Sequence, residues 1–209
     1  MPKETFFNLP EDKRTIICQV AVDEFAAYPF EQASINRIVA NAGIAKGSFY
    51  QYFEDKNDLF LHIMQLVGEE KLKYMSSLIQ APYQYDIFTL IRELYISGIQ
   101  FAVERPQYAK ISKRILENKN SALYQEVMNS NMPTAYEFFE VLLKNAIVKK
   151  EVRENINVKL LAHLITSMNA VLIEYYLEHV SQDYDEGIME TVDHFLDFLK
   201  NGIGVNGTE

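Results

Sequence analysis

Residues Ser34 to Lys56, SINRIVANAGIAKGSFYQYFEDK, admit little besides two short helices joined by a tight turn. Ser34 can cap the first helix, because its hydroxyl accepts an orphan backbone N–H two or three residues on. Ile35, Ile38, Val39 and Ala42 follow at helical spacing and form one apolar face. Gly43 sits where the chain must reverse, and glycine enters the left-handed region without a Cβ penalty. The spacing predicts a second helix from about Ala45 to Phe53, with Ile44 plugging the corner. Phe49 and Phe53 are four apart and form its inward pair. Lys46, Ser48, Tyr50 and Gln51 then fall on the outer surface, with Tyr52 at its margin.

Those outer residue types match a DNA groove. Glutamine hydrogen-bonds base edges, most naturally adenine. Lysine, serine and tyrosine suit phosphate oxygens, which fix register and carry little sequence information. Two exposed tyrosines beside a lysine and a glutamine are a poor choice for a face that meets only water.

The segment resembles the DNA-binding domain of the tetracycline-repressor (TetR) family of bacterial transcription regulators. The resemblance rests on Ser34-Ile35, Ala42-Gly43-Ile44, Lys46-Gly47-Ser48-Phe49-Tyr50, Tyr52-Phe53 and Lys56, with Ala21, Phe25 and Ala26 in the preceding helix. It covers about residues 10–60 and is architectural beyond them. It implies that Lys46, Ser48, Gln51 and Asn36 face bases or adjacent phosphates. It also implies that Ser34, Tyr50, Tyr52 and Lys56 hold the DNA backbone, and that Gly47 permits close approach to the duplex.

Charge limits how such a reader can work. The 209-residue chain carries a net charge of −9, and residues 1–57 hold six Lys/Arg against eight Asp/Glu. Bulk electrostatic coating of nucleic acid is excluded. The acids Glu11, Asp12, Asp23 and Glu24 lie on the first helix, away from Lys46 and Lys56. Binding should therefore show a shallow salt dependence, corresponding to a few phosphates per subunit; a log–log slope near about −10 per dimer would contradict this.

The remaining pattern is helical throughout. A first helix is expected from Pro10 to Tyr28, ended by Pro29. A fourth, capped by Asp55 with Asp58 three residues on, is expected to reach Gln80. Ala81-Pro82-Tyr83 breaks the chain, and Asp86 can cap an apolar helix to Glu104. Pro106 opens another to Glu117, a short one follows Ser121, and Pro133 starts one to Lys149. The expected architecture is all-α, with nine to ten helices in total. An N-terminal three-helix helix-turn-helix domain (1–56) precedes a larger helical ligand-binding and dimerisation bundle (57–209), and the fourth helix connects them.

The last two helices, Val158 to Val180 and about Asp185 to Gly202, carry a pairing signal. Leu161, Leu164, Ile165, Met168, Val171, Leu172 and Tyr175 on the first, and Ile188, Val192, Phe195, Leu196 and Leu199 on the second, form apolar stripes. Met189 and Phe198 lie off the second stripe, so one side can pack on its own subunit and the other on a partner. The resemblance points the same way, to a homodimer joined by a four-helix bundle, with Leu161, Ile165, Met168, Leu172, Ile188, Val192, Phe195 and Leu199 as the expected interface. The tail after Ile203 is expected to fray.

The chain has thirteen tyrosines, thirteen phenylalanines and no tryptophan. Phe88, Tyr95, Phe101, Tyr108, Tyr124, Tyr136 and Phe139 fall mid-chain and would suit a pocket for an apolar or aromatic molecule. Aromatics at helical spacing equally fill core. The resemblance implies a small-molecule effector there without identifying it.

Nothing in the sequence suggests catalysis. The four histidines, His62, His163, His179 and His194, match no metal-binding spacing, and Glu190 and His194, one turn apart, read as a surface contact. No phosphate loop or nucleophile elbow is present. Neither a cofactor nor a metal is expected. No run of about 18 apolar residues suggests a membrane span. The N-terminus lacks an apolar signal core, and the single Cys18 reads as a small core residue in a cytoplasmic protein. These features describe a non-enzymatic, ligand-responsive regulator, more a repressor than an activator, acting on a palindromic double-stranded operator as a dimer. The alternative is a helical small-molecule carrier or sensor without a DNA role.

Overall fold

A computed structural model describes residues 1–181 and 184–204; residues 182–183 and 205–209, which include most of the tail expected to fray, lie outside them. Among the described residues the chain forms eleven α-helices and one 3-10 turn. These are α1 (Glu4–Phe7), α2 (Glu11–Ala27), α3 (Ile35–Asn41), α4 (Lys46–Tyr52), α5 (Lys56–Tyr74), α6 (Ser76–Gln80), the 3-10 turn Pro82–Gln84, α7 (Ile87–Glu104), α8 (Pro106–Glu117), α9 (Ala122–Val148), α10 (Val158–His179) and α11 (Ile188–Ile203).

The count exceeds the nine to ten expected for two local reasons, and a third works against them. Residues 4–7 form α1, which is too short for any periodicity to announce. The expected helix to Gln80 ends at Tyr74 and resumes as α6. In the other direction, Pro133 interrupts nothing. It lies within the 27-residue α9, so the short helix after Ser121 and the next one are continuous. A proline removes one ladder hydrogen bond, and a long helix with turns on both sides can tolerate that.

The chain divides into two compact units, residues 1–71 with 105–127, and residues 72–104 with 128–209. The division falls inside α5 and not at residue 56. Helix α5 continues the inward row of the first unit through Leu59, Phe60, Ile63 and Val67, all buried. Helix α8 joins the same unit by packing on α2, where Arg114 Nη2 donates to Ala27 O at 3.0 Å.

The first unit is centred on Ile17, Phe25, Ile38, Phe49, Phe53, Leu59 and Ile63. Phe25 and Phe60 meet edge to face at 4.9 Å between centroids. Asp55 caps α5 as expected, Oδ1 accepting from Asp58 N at 2.8 Å, and Asp58 Oδ2 accepts in turn from Glu54 N at 3.0 Å. Cys18 is half-buried, and burial pushes its thiol up to about 11, which leaves it protonated at neutral pH.

His62 is buried on α5, against the edges of Phe6 and Phe7. Burial holds its pKa below the ordinary value, and the nearby carboxylates Glu69 and Asp58 only partly oppose this. The unfolded chain therefore binds the extra proton first as pH falls. His62 gives its full stability above about pH 6.5 and loses it as pH drops through that value toward the folded pKa. The thermal midpoint should fall between pH 7.5 and 5.5 in the native protein, with a flatter profile in His62→Leu. Superimposable profiles would contradict this.

The second unit is built around Leu90, Ile91, Leu143, Ala162, Ile165, Val192 and Leu196. Asp86 caps α7, Oδ1 accepting from Phe88 N and Thr89 N at 3.0 and 3.1 Å. Asn157 caps α10, Oδ1 accepting from Leu160 N at 3.0 Å.

Five of the eight residues expected at a subunit interface are buried within this unit: Ile165, Ile188, Val192, Phe195 and Leu199. Leu161, Met168 and Leu172 pack against the same core. Five of the expected interface residues are therefore core of the subunit, and these three are half-buried at its edge. On these two helices the large apolar side chains that stand exposed are Leu160, Leu164, Val171 and Tyr175 on α10, at 54, 41, 48 and 52%, and Phe198 on α11, at 73%. Helical spacing places the four α10 residues on one stripe beside the core-facing one. Among the described residues α10 alone is long and apolar enough to cross a membrane by length and composition. Its two apolar stripes, one turned to the core and one to the surface, account for that composition.

Candidate nucleic-acid interface

Helices α3 and α4 pack on each other across residues 42–45. Gly43 has φ +66°, the left-handed conformation the turn requires. Ile44 N donates to Val39 O at 3.0 Å and closes the end of α3. Ser34 caps α3 as expected, although Oγ lies a long 3.4 Å from Arg37 N.

A stronger tie at this end was not legible in the sequence. Glu24 of α2 is buried; its Oε1 accepts from Ser34 N at 2.7 Å and from Arg37 Nη2 at 2.6 Å, with Arg37 Nε at 3.0 Å. The Arg37 guanidinium also stacks 4.1 Å over the Tyr28 ring. One buried carboxylate thus fixes where α3 starts, and no local motif links positions 24 and 37. An open groove of about 430 Å³ lies beside this pair, with Tyr28 and Asn41 on its walls.

Phe49 of α4 and Phe53, which closes that helix, are fully buried, as the four-residue spacing predicts. The opposite side presents Lys46, Gly47, Tyr50 and Gln51 to solvent, with Ser48 half-buried at its edge and Asn36 exposed on α3. A Cβ on Gly47 would meet nothing within 4 Å, so the fold of the subunit does not itself demand glycine there.

Two residues expected on the DNA face are placed otherwise. Tyr52 is buried and packs toward Phe6 of α1, 6.3 Å between ring centroids. Lys56 turns inward. Its Nζ donates to Phe30 O, Ala33 O and Glu31 O at 2.6, 2.9 and 3.4 Å and lies 4.6 Å from the centre of the Phe30 ring. An ammonium has three donors, so Lys56 ties down the α2–α3 loop and has none left for a phosphate.

The seven mid-chain aromatics do not form one group. Tyr108 and Tyr124 are half-buried in the first unit. In the second, Phe88, Tyr95 and Phe139 pack against the main core, Phe101 meets Tyr74 at 5.5 Å, and Tyr136 stacks on His163 at 4.7 Å. Neither the groove at Glu24–Arg37 nor a pocket of about 10 Å³ near Tyr83 is lined by any of the seven. Tyr95 has a distinctive chemical feature: its Oη is buried without a hydrogen-bond partner, and burial raises its pKa. No group of histidine, cysteine and acidic residues suited to a metal ion occurs among the described residues.

This geometry coincides with a known sequence family. Residues 17–63 match the profile described as bacterial regulatory proteins, tetR family, and residues 85–204 match the tetracyclin repressor-like C-terminal domain. The chain is 26% identical to the HTH-type transcriptional regulator YvdT of Bacillus subtilis (strain 168), over 98% of this chain and 99% of that protein. It is 25% identical to the HTH-type transcriptional regulator AcrR of Shigella flexneri, over 83% and 79%. A TetR family transcriptional regulator from Chloroflexus aurantiacus J-10-FL has the same fold, with TM-score 0.69 and 30% identity over 99% of this chain and 100% of that one. The transcriptional regulator FadR from Bacillus subtilis, solved in complex with stearoyl-CoA, shares the fold at TM-score 0.72 and 19% identity, over 90% and 98%. With an N-terminal reader, a helical C-terminal domain and full-length similarity to a member at 30% identity, this chain belongs to the tetR family of bacterial regulatory proteins.

Proposed function

We propose that the protein is a cytoplasmic homodimeric repressor that reads a palindromic operator and is released by an apolar small molecule. The observation that carries the reading is the face of α4. Lys46, Tyr50 and Gln51 stand in solvent on the side opposite the fully buried pair Phe49 and Phe53. Gln51 reads a base edge, and Lys46, Ser48 and Tyr50 fix the register on phosphates. Two such faces, one per subunit, enter successive major grooves about 34 Å apart.

The exposed stripe Leu160, Leu164, Val171 and Tyr175, with Phe198, joins the two subunits. Five large apolar side chains on two neighbouring helices are what an interface core uses. The effector binds in the second unit. Tyr95 Oη supports this, because a buried phenol without a partner gains a hydrogen bond from a ligand. FadR of Bacillus subtilis, with its stearoyl-CoA, offers a precedent for an acyl chain held in this fold. The effector acts through its differential affinity for the two spacings of the reading heads.

A gel-shift titration with DNA from upstream of the protein's own gene tests the DNA reading. Gln51→Ala should cost about 1–3 kcal/mol on the operator and relax preference at one base pair per half-site. Equal losses on operator and scrambled duplexes would remove Gln51 from base reading. A wild-type protein that shifts no duplex would leave the DNA function without support.

A further inference from the structure

Helix α4 has only seven residues and no side-chain cap at its first end, where Ala45 stands. At about 1.5 Å per residue it is about 10 Å long. A helix this short is not stable alone, and its last four carbonyls have no partners inside it.

All four are satisfied from outside. Phe49 O accepts from Phe53 N at 2.8 Å. The other three partners come from the segment before α2. Lys3 Nζ donates to Tyr50 O at 2.9 Å, Thr5 Oγ1 donates to Gln51 O, and Lys3 N donates to Tyr52 O at 2.8 Å. Beneath them Phe6 is buried, 4.8 Å from the Phe53 ring centre and 5.4 Å from that of His62. The Lys3 ammonium also lies at the negative end of the helix, where a cation is favoured. These residues precede the 17–63 segment that matches the family.

The clamped carbonyls belong to Tyr50, Gln51 and Tyr52, and the first two of these residues carry the outward side chains. A shift of their backbone moves the groups that meet base edges, and base readout tolerates displacements of only about 0.5 Å. We propose that Lys3 and Thr5 are positioning residues for sequence discrimination: they clamp the carboxyl end of α4 and hold Tyr50 and Gln51 in the geometry that separates the operator from other DNA. The inference rests on α4 being the reading helix.

The test uses full-length Lys3→Met, Thr5→Val and the double variant. Affinity is measured for a duplex selected from a random library by the wild-type protein and for a scrambled duplex of equal length. Amide exchange is followed over residues 50–53. In the double variant, operator affinity should fall about tenfold or more, the scale of one to two net hydrogen bonds. Scrambled-duplex affinity should change less than about twofold, since phosphate contacts dominate it. Exchange at 50–53 should quicken by about tenfold, one hydrogen bond's worth of protection, and Lys3→Arg should restore the wild-type values.

Equal weakening on both duplexes, tracking a lower thermal midpoint, would show a merely structural role and overturn the proposal. Unchanged exchange at 50–53 would overturn it as well. A wild-type protein that selects no duplex would instead end the DNA reading, and the exchange measurement would still decide whether the clamp exists.

Discussion

Leu164→Asp combined with Val171→Asp should turn a dimer into folded monomers and cost at least about a hundredfold in operator affinity. The two positions are 41 and 48% exposed on the outer stripe of α10. Charging them removes no core contact, and exposed substitutions usually cost a subunit no more than about 0.5 kcal/mol. In a dimer the same carboxylates would be buried without partners in an apolar interface, at several kcal/mol each. DNA affinity falls because two tethered reading heads gain about 10² to 10⁴ from effective concentration, and a monomer forfeits that factor. Sedimentation and operator titration on the same sample test both halves. A double variant that still sediments as a dimer would place the interface elsewhere.

The control is equally informative. Phe195 and Leu199 are 9 and 7% exposed inside the subunit. Polar replacements there should lower the thermal midpoint of the subunit itself, by about 2–5 kcal/mol of stability for truncation alone. Loss of assembly in those variants would report unfolding and not the interface.

The second large effect is at Phe49. Its side chain has no exposed surface and touches Phe53 and the ring of Tyr50, at 5.4 and 5.2 Å between centroids. Phe49→Ala should cost about 3–5 kcal/mol. That is a large part of the about 5–15 kcal/mol available to a whole domain. Because α4 is seven residues long, the loss falls on the reading face first. Operator binding should vanish at temperatures where the circular dichroism of the helical bundle is still near native. Phe49→Leu, which keeps most of the volume, should retain binding with a lower midpoint. A Phe49→Ala protein that binds its operator with native affinity would mean that the pair Phe49–Phe53 does not set the reading face.

Local chemistry in the sequence determined the parts of this protein whose cause lies within a turn or two of helix. Ser34, Gly43 and Asp55 marked helix ends because caps and left-handed turns are decided by neighbouring backbone groups. The spacing of Phe49 and Phe53 assigned the inner side of α4, and therefore its outer side, because periodicity in a short helix has one solution. The all-helical class followed from the same arithmetic over the whole chain.

Tertiary structure decided everything that depends on which surface meets which. It turned Lys56 inward, because three loop carbonyls converge on it from residues 30–33. It buried Tyr52 under Phe6, paired Glu24 with Arg37 across thirteen positions, and brought Lys3 and Thr5 to the end of α4. It also chose between the two apolar stripes of α10. Hydrophobicity is non-directional and ranks residues without saying which neighbour covers them. A helix with two apolar sides therefore leaves core and exposed face interchangeable until the chain has packed.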